Sequence, residues 1–177
     1  MIRHMTPLVL LLTATAGARA EQKLATLEAD LLVQLLQFVE WPGQQVRETA
    51  IIVGFAGLDP VLTSLRNVLK QQQVRGRAVT IRLVHSPEEM RRCDVLFLGV
   101  SLREQVRKSL ERIRGADVLT VGAFPGFARS GGMVELTANP EKKPLILNPT
   151  AARDAGLSFH PGLRFLASVA GAKPNSQ

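Results

Sequence analysis

Cysteine occurs once, at Cys93, in a chain of 177 residues, so no disulfide can form within it. A lone thiol between Arg92 and Asp94, at the start of the apolar run Val95 to Val100, has two readings. It is either a small buried residue at a strand entrance or one half of a disulfide to another chain. Histidine is almost as scarce, with three in all. Only His85 and His160 lie beyond the first few residues, each beside turn-forming residues. No His-Glu-x-x-His helix and no Cys/His cluster at metal spacing occurs, so no metal centre is expected, and no cofactor. A Gly-x-Ser-x-Gly nucleophile elbow is missing too. The turn Gly54-x-x-Gly57 lacks the third glycine of a dinucleotide fingerprint and the Gly-Lys-Ser/Thr of a phosphate loop. Acids are scattered rather than paired on one face. Nothing in this pattern supports an enzyme.

An apolar run of the roughly 20 residues needed to span a bilayer is also missing. The N-terminus comes nearest, and it has another signature. Arg3 and His4 make a basic start, Pro7 to Leu12 with Ala14 and Ala16 is apolar, and Ala18-Arg19-Ala20 supplies a small-x-small site. These features in this order predict a cleavable export signal over residues 1–20, cut between Ala20 and Glu21. The whole chain has a formal charge of +7. Loss of Arg3 and Arg19 leaves 20 Lys and Arg against 15 Asp and Glu, a net of about +5. Outside the cytoplasm such a charge points to an anionic membrane surface or an acidic partner protein rather than to nucleic acid. The remainder is long enough for one domain with a true core, placed at 21–170, with a polar tail at 171–177.

From Glu21 to Val39 the pattern is helical. Leu24, Leu27, Leu31, Leu35 and Phe38 recur at three and four, and Leu32, Leu36 and Val39 widen the same face. This stripe docks either on the chain's own sheet or on a second copy. Glu40-Trp41-Pro42-Gly43 stops the helix and holds the only tryptophan at a corner. Strands and helices then alternate. Ala50 to Phe55, Val79 to Val84, Val95 to Val100 and Val118 to Val121 read as strands. Asp59-Pro60, Ser86-Pro87-Glu88-Glu89 and Ser101-Leu102-Arg103-Glu104 open helices, the last running to about Ile113. Near-continuous apolar strands between capped helices predict an α/β domain with a mostly parallel sheet covered by helices, preceded by the amphipathic first helix. Met133 to Thr137 and Leu145 to Leu147 form an antiparallel pair at one edge. Asn148-Pro149 caps a short helix ending at Gly156, and His160-Pro161 opens a last one carrying Leu163, Phe165, Leu166 and Val169.

Val121 to Leu136 stands apart, with four glycines, a proline, Phe124 and Phe127 between two strand candidates. That density of glycine and proline predicts tight turns with positive φ. The two phenylalanines either plug the core beneath the loop or stand out as a contact surface, and such loops often carry binding residues.

Five segments in order carry a resemblance: Phe38-Val39-Glu40-Trp41-Pro42, Gly76-Arg77-x-Val79, Cys93 to Leu98, Gly126 to Met133, and Asn148 to Leu157. The chain resembles the YfiR-type periplasmic domain family over nearly all of the exported part. The resemblance implies a periplasmic regulator that binds and represses the periplasmic sensor part of an inner-membrane protein. In the family's characterised systems that protein is a diguanylate cyclase, so repression lowers cyclic di-GMP and biofilm formation; a sensor kinase is the other partner implied. It also implies a homodimer, and it marks Trp41, Phe124, Phe127, Arg129, Gly131 and Gly132 as motif positions for partner or ligand binding. Relatives with several cysteines are tuned by disulfides; here Cys93 stands alone, leaving only an intermolecular bridge. The alternative is a periplasmic small-ligand sensor with Trp41 and the two phenylalanines around a pocket.

Overall fold

The structure, a computed structural model, describes residues 9–41, 50–69, 73–137 and 143–171. The basic start at Arg3 and His4, the Pro42-Gly43 stop and the tail beyond 171 lie outside the described residues. In chain order the elements begin with α1 (Val9–Leu36), β1 (Val39–Glu40), β2 (Ala50–Ala56) and α2 (Val61–Leu69). Next come β3 (Gln73–Val74), β4 (Arg77–Leu83), α3 (Pro87–Arg91) and β5 (Val95–Leu98). A 3-10 segment, Val100–Gln105, runs into α4 (Val106–Arg112), followed by β6 (Leu119–Gly122), β7 (Val134–Leu136) and β8 (Leu145–Leu147). The chain closes with α5 (Pro149–Asp154), β9 (Ser158–Phe159), the 3-10 segment Pro161–Phe165 and β10 (Ala167–Val169).

Eight strands form one sheet in the order β10-β8-β7-β6-β5-β2-β4-β3. Its centre, from β4 through β2, β5 and β6 to β7, is parallel. β3 and β8 add to this centre antiparallel, and β10 lies parallel to β8 at the edge. The expected mostly parallel sheet under helices is therefore the observed fold. β5 explains why a parallel sheet suits this chain. All four of its residues are buried, with Val95 and Phe97 in the core shared with α1 and α2, and Leu96 and Leu98 in a second core shared with α3 and α4. A strand apolar on both faces is stable only with a covering layer on each side. On the first face Phe55 of β2 stacks on Phe97 of β5, ring centroids 4.5 Å apart.

Three sequence expectations need correction. The first helix ends at Leu36 rather than Val39, because Val39 and Glu40 pair with Phe159 and Ser158 as β1 and β9. Its buried stripe holds from Leu31 through Leu32, Leu35 and Leu36 but shifts at the N-terminal end, where Ala25 and Ala29 are buried and Leu24 and Leu27 are 41% and 47% exposed. The small alanines let α1 lie close on α2, where the Gln22 amide donates to the Ser64 hydroxyl at 2.8 Å. The last expected helix is a 3-10 segment followed by a strand. Residues 167–169 pair with Leu145–Leu147, leaving Phe165 71% exposed and Val169 half exposed. The expected cleavage point, Ala20–Glu21, falls inside α1, and the first described buried side chain of that helix is Ala25. Among the described residues no helix is long and apolar enough to cross a membrane.

Candidate functional site

The glycine-rich loop takes its shape from one ring. Phe127 is fully buried and meets Phe124, also buried, edge-on at 5.4 Å. Both therefore plug the second core beneath the loop, and neither stands out as a contact surface. A Cβ on Gly122 would lie 2.6 Å from the Phe127 ring, and one on Gly132 would press closer still on its other edge. Only glycine fits at either position. Gly131, at φ +104, makes the left-handed turn that swings the chain into β7. Polar contacts finish the loop. The Ala128 N–H donates to the buried Glu135 carboxylate at 3.1 Å, and the Met133 N–H to the Thr120 hydroxyl at 3.0 Å. What remains exposed on the loop is Pro125, Arg129 and Gly131.

Asn148 fastens this loop to the next motif segment. Its side-chain oxygen accepts the Ala151 N–H at 3.1 Å, capping α5, and its amide donates to the Ala128 carbonyl at 3.1 Å. Its own N–H donates to the Met133 carbonyl at 2.8 Å. The segments 126–133 and 148–157 are thus brought together, and beside them opens a cleft of about 670 Å³. One wall is α4 and its C-terminal turn, with Arg107, Leu110, Glu111 and Arg114. The other is α5, with Thr150, Ala151, Asp154 and Ala155. Ile113, Val118 and Met133, all buried, line the bottom with Thr120. Leu110 with Arg107 and Arg114 at spacings of three and four on one helix face was a signal for this wall in the sequence. Volumes of this order suit small-molecule or peptide ligands.

The marked residues do not converge. Gly131 lines the cleft, whereas Arg129, Phe127 and Gly132 do not, the last two being buried. Trp41 packs against the core on the α1 side, whereas Phe124 and Phe127 belong to the core on the α4 side. A pocket lined by all three aromatics is therefore not formed. Among the described residues the buried Trp41 indole N–H has no hydrogen-bond partner. Cys93 is buried and free; its thiol donates to the Glu89 carbonyl at 3.3 Å, and burial pushes its pKa up. The sulfur covers Gly54, where a Cβ would meet it at 2.5 Å.

Gly57, at φ +80, turns the chain at the carboxyl ends of β2 and β5, the usual ligand crevice of such sheets. Here the crevice is stitched shut. The Leu58 N–H donates to the Ser101 hydroxyl at 2.7 Å, and the Val61 and Val100 N–H groups are taken by the two oxygens of Asp59. With those amides occupied by a hydroxyl and an acid, no phosphate cradle is left. Close by, burial raises the Glu28 carboxyl from 4.5 to about 7, with the Asp59 charge as the second cause; burial likewise raises Asp59. Among the described residues no cluster of potential metal ligands occurs.

A family model described as YfiR/HmsC-like matches residues 25–168. Among solved structures, the chain is similar to a conserved domain protein from Vibrio cholerae O1 biovar El Tor str. N16961. The TM-score is 0.50 at 15% identity, over 82% of this chain and 59% of that one. The likeness is one of fold, and the chain spans about 59% of that structure's length. No curated protein matches it significantly.

Proposed function

Because the chain belongs to the YfiR/HmsC-like family, a family of periplasmic regulators in cyclic di-GMP signalling, we propose that it binds and represses an inner-membrane signalling protein. The partner is the periplasmic sensor part of a diguanylate cyclase, and repression lowers cyclic di-GMP and biofilm formation. The observation that carries this reading is the family match across 25–168; the export signal expected over residues 1–20 agrees with it. No catalytic step is assigned to the chain.

The docking surface follows from what the loop leaves outside. With both phenylalanines buried, the partner meets Pro125, Arg129 and Gly131. An acidic patch on the sensor would answer the arginine. Docking shifts the sensor toward its inactive state by as much as the repressor binds that state more tightly. The repressor acts as a homodimer, for which the exposed Leu24 and Leu27 on α1 offer an apolar face.

The test is capture of membrane proteins by the exported chain and by Arg129→Glu, with cellular cyclic di-GMP measured alongside. Recovery of a cyclase by the wild type, its loss in the variant and a rise in cyclic di-GMP support the reading. Equal capture by both chains would remove Arg129 from the interface. A second reading, a small-ligand sensor, is favoured by one specific observation, the cleft between α4 and α5.

A further inference from the structure

The lips of that cleft carry opposite charge. Arg107 and Arg114 outnumber Glu111 on the α4 side, and Asp154 stands on the α5 side. All four side chains are exposed, and among the described residues none makes a hydrogen bond or an ion pair. Guanidinium groups favour carboxylates, which they hold by paired N–H donors, and a free carboxylate favours an ammonium. The cleft therefore offers an anion site on one lip and a cation site on the other, across a floor of buried apolar side chains.

Between the lips there is polar chemistry as well. The Ser130 hydroxyl makes no hydrogen bond among the described residues. Thr120 accepts from the Met133 N–H and keeps its own proton to donate. Such groups suit the amides of a peptide. A lone fatty acid would leave Asp154 to water alone and gain nothing from that lip. A single amino acid would leave most of the 670 Å³ unfilled; a peptide of about two to four residues is nearer the drug-sized ligands that clefts of this volume take.

We infer that the cleft between α4 and α5 binds short apolar peptides with free termini, the carboxylate held by Arg107 and Arg114, the ammonium by Asp154, and the side chains on Leu110, Ile113 and Met133. The inference rests on the ligand-sensing reading and not on repression, so it is tested on the purified full-length protein with no membrane partner present.

The probe is trileucine, titrated calorimetrically beside trileucine blocked at both ends, triglycine and laurate. Trileucine is expected to bind with a Kd below about 1 mM. Blocking both ends should weaken it at least about fivefold, and triglycine should not bind. Arg114→Glu and Asp154→Lys, both at exposed positions, should each weaken trileucine about fivefold with the melting temperature unchanged. If either variant melts early, the other carries the test. Failure of trileucine to bind at about 5 mM, blocked and free peptide binding alike, laurate binding in its place, or charge variants that bind like the wild type would each overturn the inference. Loss of membrane capture with peptide binding intact would instead count against repression alone.

Discussion

The ring of Phe127 occupies the space that a side chain at Gly132 would need. A loop glycine and a core phenylalanine are thus one steric unit, with Gly122 on the other side of the ring.

Gly132→Ala should accordingly destabilise the protein by about 1–3 kcal/mol through overpacking, and Phe127→Ala by about 3–5 kcal/mol through the cavity it leaves. The double variant Gly132→Ala/Phe127→Leu should recover part of the first loss, since the smaller side chain makes room. Urea titrations of the wild type, Gly132→Ala, Phe127→Leu and the double variant close the cycle, with Phe127→Ala measured beside them. Strict additivity would mean that the two positions are not coupled.

Glu28 gives the protein a stability slope of definite sign. Between pH 4.5 and about 7 the folded chain keeps a proton that the unfolded chain has released. The contribution of this carboxyl therefore falls as pH rises through that window and levels off above it. Glu28→Gln should flatten the slope and, after allowance for solvent screening, raise stability near pH 8 by about 1–2 kcal/mol. Denaturant midpoints at about pH 5 and pH 8 decide it; a variant with the wild-type pH dependence would place the proton elsewhere.

Asn148→Ala removes the cap of α5 and leaves the Ala128 carbonyl without its side-chain donor. A loss of about 1–2 kcal/mol is expected. Because the same side chain joins loop to helix, hydrogen exchange should quicken at Ala151 and around Ala128 more than in β2 or β5. A uniform change over the whole chain would refute a local latch.

Cys93 should behave as a core thiol. In the native protein a thiol reagent near pH 8 should modify it over hours, and in denaturant at once, because burial raises its pKa and blocks access. Gels without reductant should show monomer. A reductant-sensitive dimer from native protein would revive the intermolecular bridge.

Much of the fold was legible because it is encoded locally. β2, β5 and β8 are continuous apolar runs. The capping box at Ser86, where the Glu89 N–H donates to the Ser86 hydroxyl at 3.2 Å and the Glu89 carboxylate accepts the Ser86 N–H at 3.2 Å, needs only four consecutive residues. Asn148-Pro149 announced α5 in the same way. β1, β9 and β10 were not legible: they are two or three residues long and, unlike β8, not apolar throughout, so each is marked as a strand only by the distant segment that pairs with it. The stripe of α1 was legible from Leu31 onward and misjudged only at Leu24 and Leu27, because leucines outrank alanines in any hydropathy pattern, while packing on α2 selects Ala25 and Ala29.

The loop and the candidate site divide along the same line. Glycine density at 122–132 determined tight turns with left-handed residues, which are Gly126 and Gly131, and the residue types held none of the familiar metal-spacing or nucleophile motifs. Whether Phe124 and Phe127 faced outward was decided by the tertiary structure. Their burial depends on the empty faces of Gly122 and Gly132 and on a second core supplied by α3 and α4. The cleft likewise belongs to the assembled chain. Its two walls lie about 40 residues apart in sequence, and a concavity comes from how helices settle on a sheet, which follows from packing rather than from any short pattern.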